Sequence, residues 1–184
     1  GSLELLRSTS GEKAGSLLGA IDRTVTGAGA RELAARLASP LRDGRAIAAR
    51  LDAVGYLLEH DTLREDLRRS LRAAPDIARA ISRLAFQRGG PRDLAAVRDG
   101  LTVSKACAKL LDASSGMMGL PADLTDTATR LGASDGPLSV MLAEALVDEP
   151  PPLRRDGGFV REGYRTELDE ARRLREDSRR VMAA

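Results

Sequence analysis

Cysteine and aromatic residues are nearly absent from this sequence. The single cysteine, Cys107, can form neither an intrachain disulfide nor a paired-cysteine metal site. Aromatic residues make up 2% of the chain and tryptophan is absent, which removes the stacking platforms that most single-strand nucleic-acid binders use. We therefore expect a reducing, cytoplasmic compartment and a core of aliphatic side chains, a composition that favours helices over strands.

Long apolar runs and a strong charge imbalance are also missing. The chain has no run of about 18 apolar residues and no charged-then-apolar leader, so the sequence predicts neither a membrane span nor secretion. A net charge of +2 from 29 basic and 27 acidic residues is weak evidence for a nucleic-acid surface, which usually carries a larger, one-sided basic excess. Arginine clusters such as Arg154-Arg155 alternate with acids, as is typical of a solvated face. We interpret Gly1-Ser2 as the remnant of a removed tag.

The groups that could support chemistry each lack partners. His60, the only histidine, is more typical of a helix end or surface than of a general base or metal ligand. Lysines flank Cys107 and could lower its thiol pKa, although a lone cysteine among small residues is more often buried. The adjacent carboxylates Asp148-Glu149 point in different directions, and the glycine pairs at 89 and 157 lack the Lys-Ser/Thr of a phosphate loop. We predict no catalytic residue, no metal site and no cofactor site in this chain.

Apolar residues recur every three or four positions along most of the sequence, which predicts an all-α, multi-helix bundle. The predicted helices cover residues 27–38 and 44–59, begin after Asp61, after Pro75-Asp76 and at Pro91, and cover about 122–132 and about 138–147. Thr26 and Asp43 are placed as N-caps of the first two, and Pro91 suits the first position of the fifth. Gly29 lies in the first turn of its helix, where we expect the close approach of another backbone.

The character of the sequence changes after the prolines at 150–152. Asp156-Gly157 is a strong signal for a tight turn between Leu153 and Phe159-Val160, so we predict one small β-hairpin near residues 153–161. From Gly163 to the end, apolar residues at helical spacing predict a long C-terminal helix. Its other faces carry opposite charges four residues apart, such as Asp169 and Arg173. A helix with a narrow apolar seam and polar remaining faces often projects from a domain.

Three stretches together carry a family resemblance. The stretch "LLGAIDRTVTGAGARELAARL" and the Pro-Leu that follows resemble the start of the core, or lever, domain of the MutS family of DNA mismatch-recognition proteins, with its Leu-Asp-x-Thr-x-Thr-x-Met-Gly-x-Arg-x-Leu signature. The stretches "GGPRDL" and "DGGFVREGYRTELDEAR" match later family motifs in order and spacing. The matching positions that we expect to be structural are Asp22, Thr24, Thr26, Gly29, Arg31, Pro40, Arg92, Asp93, Leu94, Gly157, Gly158, Gly163 and Tyr164. Ala28 departs from the family's usual methionine.

The resemblance implies a fold and a role. Residues 3–162 would form a helical core domain, and residues 163–184 would begin a lever that leads toward a DNA clamp domain. The mismatch-reading, clamp and ATPase domains would belong to a longer parent protein, together with its ATP and Mg²⁺. The core would couple DNA binding to the ATPase without catalysis of its own. The parent's partners would be DNA, a second copy in a homodimer and a MutL-type repair protein, in a cytoplasmic, nucleoid-associated setting without a membrane.

Two other functions fit the same residues. A free-standing helical adaptor domain would take a partner helix in an apolar groove, and we expect its C-terminal helix to be packed along its whole length. A MutS paralogue that suppresses recombination would share the core but would lack mismatch reading.

Overall fold

The fold is all-α, as the sequence predicts. A computed structural model describes residues 3–116, 119–133 and 136–183, except for the side chains of Glu176 and of residues 179–183. Its α-helices are α1 (Leu17–Ile21), α2 (Gly27–Ala38), α3 (Gly44–Glu59), α4 (Asp61–Arg72), α5 (Ile77–Ala85), α6 (Pro91–Ala113), α7 (Ala122–Gly132), α8 (Pro137–Ala145) and α9 (Thr166–Ala183). A single turn of 3-10 helix covers Arg154–Asp156.

Short polar side chains cap the starts of four of these helices: Ser16 accepts from the Gly19 amide at the start of α1. The Thr26 hydroxyl accepts a hydrogen bond from the Gly29 amide, 2.9 Å away, at the start of α2. Asp43 and Asp76 accept from backbone amides at the starts of α3 and α5. Each oxygen satisfies one of the amides that the first helical turn leaves free. The predicted caps Thr26 and Asp43 are therefore confirmed, and the predicted bounds of α2, α3 and α7 agree with the structure.

Helix α6 is the centre of the bundle, because α4, α5, α7 and α8 all pack on it. One buried cluster joins Ala80 of α5 and Leu142 of α8 to Val97, near the start of α6. A second joins Leu63 of α4 and Ala128 of α7 to Leu111, near its end. One long helix thus connects two small cores, and nearly all the buried side chains are aliphatic.

Gly100 allows α5 to approach α6 closely. A Cβ atom built on Gly100 would overlap the Cδ1 and Cγ1 atoms of Ile77, so no side chain fits there while Ile77 keeps its position. The glycine weakens the middle of α6 locally. It also provides the notch into which α5 packs.

Helix α3 turns its most regular apolar stripe away from the bundle. Ile47, Leu51, Val54 and Leu58 are exposed, between 38% and 64%, although their spacing is that of a core-facing seam. The helix contacts the bundle through the neighbouring face, where Ala53 is buried. The periodicity therefore predicts the helix correctly without showing which face is covered.

The predicted hairpin near residues 153–161 is wrong. Residues Arg154–Asp156 form the 3-10 turn, and Leu153 does not pair with the residues after Gly157. Val160 instead makes a single antiparallel bridge with Leu146, just after α8. The tight-turn signal at Asp156-Gly157 is satisfied locally, since Asp156 accepts a hydrogen bond from the Leu153 amide.

Helix α9 begins at Thr166, three residues later than predicted. The predicted ion pairs at a spacing of four are replaced near its start by one at a spacing of three, between Asp169 and Arg172. The opposite charges four residues apart also include Arg172 with Glu176 and Glu176 with Arg180; the side chains of Glu176 and of residues 179–183 lie outside the described part of the helix.

Candidate functional site

The signature turn before α2 is organised by Asp22. One of its carboxylate oxygens accepts from the Thr24 amide and hydroxyl, at 2.9 and 2.7 Å, and the other accepts from the Lys13 ammonium group. These donors, Lys13 first, hold the pKa of Asp22 well below its usual range. Arg68 of α4 donates to the Arg23 carbonyl oxygen, 3.0 Å away. The turn is therefore fixed within itself and tied to the bundle.

Gly29 is crowded by side chains of this same turn. A Cβ atom there would lie 2.9 Å from the Thr26 hydroxyl and 3.6 Å from the Cβ of Thr24. The expected close approach of another backbone is therefore wrong, because the N-cap residue itself occupies the space. The glycine allows the cap to sit directly over the first turn of α2.

Arg31 connects α2 to the start of α5. Its guanidinium donates two hydrogen bonds to the Asp76 carboxylate, both of 3.0 Å, across 45 residues of sequence. This bidentate pair lowers the pKa of Asp76 and raises that of Arg31. Asp76 also caps α5 by accepting from the Arg79 amide. One carboxylate thus begins one helix and holds another.

The "GGPRDL" motif forms the entry to α6. Asp93 accepts from the Gly90 amide at 2.8 Å and pairs with Arg83 of α5. Arg92 donates to the Pro150 carbonyl oxygen, 3.4 Å away, and Leu94 is half-buried beside the first cluster. Pro40, in contrast, is exposed in the link between α2 and α3. The motif therefore joins α5, α6 and the segment after α8.

The segment that leads to α9 is fastened to the end of α8. The Val147 amide donates to the Phe159 carbonyl oxygen at 3.1 Å, and the Arg161 amide donates to the Ala145 carbonyl oxygen at 2.7 Å. Gly157, Gly158 and Gly163, at the two ends of this fastened segment, all have positive φ values between 68° and 79°. Such backbone suits glycine far better than other residues.

Two side chains of α9 lock its base onto this segment. Asp169 accepts from the Gly163 amide at 2.7 Å, and Arg172 donates to the Val160 carbonyl oxygen at 2.7 Å. The two side chains also pair with each other at 2.9 Å, with only 18% and 25% of their surfaces exposed. Tyr164 and Leu168 are half-buried beside them. We call Gly163, Asp169, Arg172 and Val160 the α9 lock.

Beyond Arg172, every described side chain of α9 is exposed. Leu174, two residues after Arg172, exposes 69% of its surface. The described part of the helix is therefore held at its base and leaves the bundle after that point.

The isolated candidate groups take ordinary structural places. His60 ends α3, stacks on Tyr56 with ring centroids 3.9 Å apart and hydrogen-bonds the Tyr56 carbonyl oxygen. Cys107 is buried, and burial raises the pKa of its thiol. The lowering of this pKa that the neighbouring lysines could cause does not occur. Asp148 pairs with Arg161, 2.7 Å away. Within the described ranges, no group of acids, histidine and cysteine could hold a metal ion, and no helix is long and apolar enough to span a membrane.

The long-range partners of the signature residues are not evident from the sequence. Arg31 belongs to the family signature, but nothing in the sequence around it indicates Asp76 as its partner. The sequence predicts Asp169 as a surface charge beside Arg173, whereas the structure pairs it with Arg172 and the Gly163 amide. The i, i+3 spacing of Asp169 and Arg172 permits an ion pair on any helix, and nothing in the sequence shows that a carbonyl group lies within reach.

These features define an all-helical bundle with a polar helix fixed to it by a compact lock at the base. Comparisons with known proteins give the family: the family model for MutS domain III matches residues 1–183, and the chain belongs to that family. It is 54% identical over 182 residues to a DNA mismatch repair protein MutS of Azorhizobium caulinodans, with 99% of the chain and 19% of the relative aligned. MutS proteins of Rhodopseudomonas palustris (strain BisB5) and Nitrobacter hamburgensis are 53% and 50% identical, also with 99% of the chain aligned. The chain spans about a fifth of the length of these relatives.

Proposed function

We propose that this domain belongs to a DNA mismatch repair protein in which it couples DNA-contacting domains to an ATPase domain. The relatives at 50–54% identity are named DNA mismatch repair proteins, which favours repair over the paralogue that suppresses recombination. We assign no catalytic step to the described residues. ATP, Mg²⁺, most of the DNA contact, the homodimer and a MutL-type partner belong to the parent protein in this proposal.

The α9 lock is the single observation that carries the coupling role. Helix α9 has 18 residues and so extends about 27 Å, while the two residues that it contributes to the lock, Asp169 and Arg172, lie within its first seven residues. A stiff element that is fixed at one end transmits a small rotation at its base into a larger displacement at its tip. We therefore infer that residues 3–162 form the core and that residues 163–184 begin the lever.

The exposure of α9 also bears on the adaptor hypothesis. An adaptor domain is expected to pack its C-terminal helix along its whole length, because that helix would complete the apolar core. Here the described side chains after Arg172 are exposed. This exposure supports the lever over the adaptor.

Paired spin labels in the full-length parent protein test the lever. Exposed positions Asp112 of α6 and Arg175 of α9 are changed to cysteine in an otherwise cysteine-free protein and labelled. We expect the distance distribution between the labels to shift when mismatched DNA and then ATP are added, whereas a pair within α6, Arg92 and Asp112, stays constant. An unchanged Asp112–Arg175 distribution in all ligand states would contradict the proposal.

A further inference from the structure

A cleft lies between the α5–α6 turn and the segment that leads to α9. Its volume is about 670 Å³, within the range of ligand and peptide sites, and its lining includes Leu84, Leu94, Arg154 and Phe159. Leu84, Leu94 and Phe159 are half-buried and pack against the first buried cluster. The cleft therefore combines an apolar edge of the core with polar groups that include Gln87 and Arg154.

The rim of the cleft adds exposed apolar surface. Phe86, in the turn between two lining residues, exposes 76% of its surface, and Leu153, beside Arg154, exposes 46%. Gln87, also in the lining, has a positive φ of 57°, because it follows the C-cap of α5 and its amide bonds the Leu84 carbonyl oxygen, as in a Schellman helix end. An exposed phenylalanine beside an apolar cleft is typical of a surface that another polypeptide covers.

The charge around the cleft is positive and largely unpaired. Residues 83–94 and 153–159 contain five arginines and two aspartates, hence a net charge of +3. Asp93 is engaged by Arg83 and by a backbone amide, and Asp156 accepts from the Leu153 amide. Within the described part of the chain, Arg88, Arg154 and Arg155 form no ion pair. Arg154 lines the cleft, and Arg88 and Arg155 are exposed and directly follow lining residues in the sequence.

We propose that this cleft binds a segment of a partner polypeptide in which one or two large apolar side chains are flanked by carboxylates. The apolar side chains would lie against the apolar edge beside Leu84 and Phe159, and the carboxylates would pair with Arg154 and the neighbouring arginines. A nucleic-acid backbone fits less well, because it would cover the arginines and leave the apolar edge and Phe86 in water.

A segment bound in the cleft would contact Phe159, which directly precedes Val160 of the α9 lock. Phe159 contributes its side chain to the cleft and its carbonyl oxygen to Val147. The next residue, Val160, accepts the hydrogen bond from Arg172. A bound segment therefore contacts the strand-like stretch on which the α9 lock rests.

The test is a titration of the isotope-labelled 184-residue chain followed by amide NMR shifts. The probe is a synthetic peptide in which a Leu-Phe pair is flanked on both sides by glutamates. One control peptide replaces Leu-Phe by Gly-Gly, and another replaces the glutamates by lysines. Single-stranded and duplex oligonucleotides are titrated in parallel.

We expect the glutamate-flanked peptide to shift the amides of residues 84–94 and 153–160, and both control peptides to have little effect. Arg154→Glu should weaken binding about tenfold, because it replaces an attraction by a repulsion. Arg42→Glu, which changes an exposed arginine outside the cleft, should leave binding unchanged. The proposal is overturned if these amides do not shift, if the Gly-Gly peptide binds equally well, or if the oligonucleotides shift the same amides more strongly.

Discussion

Replacing Arg172 by alanine tests how α9 is held. The substitution removes a charged hydrogen bond of 2.7 Å to the Val160 carbonyl oxygen and the ion pair with Asp169. A hydrogen bond to a charged group contributes about 1.5–3 kcal/mol. A partly exposed ion pair adds less than about 1 kcal/mol. We therefore expect the docking of α9 to weaken by about 2–3 kcal/mol, which raises the population of the undocked helix roughly 30- to 150-fold.

Native-state amide exchange measures this change directly. The Gly163 amide is bonded to Asp169, and the amides of Leu168 and Asp169 are bonded to the Arg165 carbonyl oxygen. These three amides report local opening at the base of α9. In Arg172→Ala they should exchange faster by the factor above, while amides in the middle of α6 keep their rates.

Arg69→Ala is the matched control for this substitution. Arg69 pairs with Asp66 at the same i, i+3 spacing and the same 2.9 Å distance, but it is 75% exposed and bonds no distant carbonyl group. We expect this variant to leave exchange at α9 unchanged. The reasoning is refuted if Arg172→Ala exchanges like the wild type at the base of α9, or if Arg69→Ala accelerates exchange there to the same extent.

Three further predictions concern the bundle. Gly100→Ala should lower the free energy of unfolding by about 1–2 kcal/mol, because the added methyl group overpacks the contact with α5. Gly55→Ala, which has open space around it, should raise the free energy of unfolding by about 0.5–1 kcal/mol. Both values are measured by chemical denaturation, and equal stabilisation by the two substitutions would contradict the packing argument. The pKa of Asp76 is lower in the folded protein than in the unfolded chain, so the stability that Asp76 contributes should be lost progressively as the pH falls below about 4, the pKa of an unfolded aspartate. Asp76→Asn should therefore flatten the thermal-unfolding profile below about pH 4. An unchanged slope in this variant would contradict the role of Asp76. The exposed stripe on α3 should cause weak self-association of the chain at high concentration. In sedimentation experiments, Leu51→Glu should reduce this association and Leu174→Glu should not. Equal effects of the two substitutions would exclude the stripe as the associating surface.

Local signals in the sequence predict the helices well. Thr26 and Asp43 act as caps because their short side chains reach the first free amides whatever the rest of the fold does. Pro91 and Asp93 begin α6 for similarly local reasons. The family motifs were recognisable for a different reason, since their order and spacing survive changes in individual residues.

Relations between distant segments were not predictable from these signals. The stripe from Ile47 to Leu58 has core-like spacing but is exposed, because helical periodicity does not specify which face has a neighbour. The hairpin signal at Asp156-Gly157 failed because a 3-10 turn satisfies the same residues. The α9 lock depends on the carbonyl group of Val160, and every residue type supplies a carbonyl group.

The most direct test of the coupling proposal uses Arg172→Ala and Arg69→Ala in the full-length parent protein. The measurement is the stimulation of ADP-to-ATP exchange by mismatched duplex DNA, relative to perfectly paired duplex, with DNA affinity determined in parallel. We predict that Arg172→Ala retains its affinity for the mismatch but loses most of the stimulation, whereas Arg69→Ala retains both. If Arg172→Ala shows wild-type stimulation although the base of α9 is loosened, α9 does not carry the coupling.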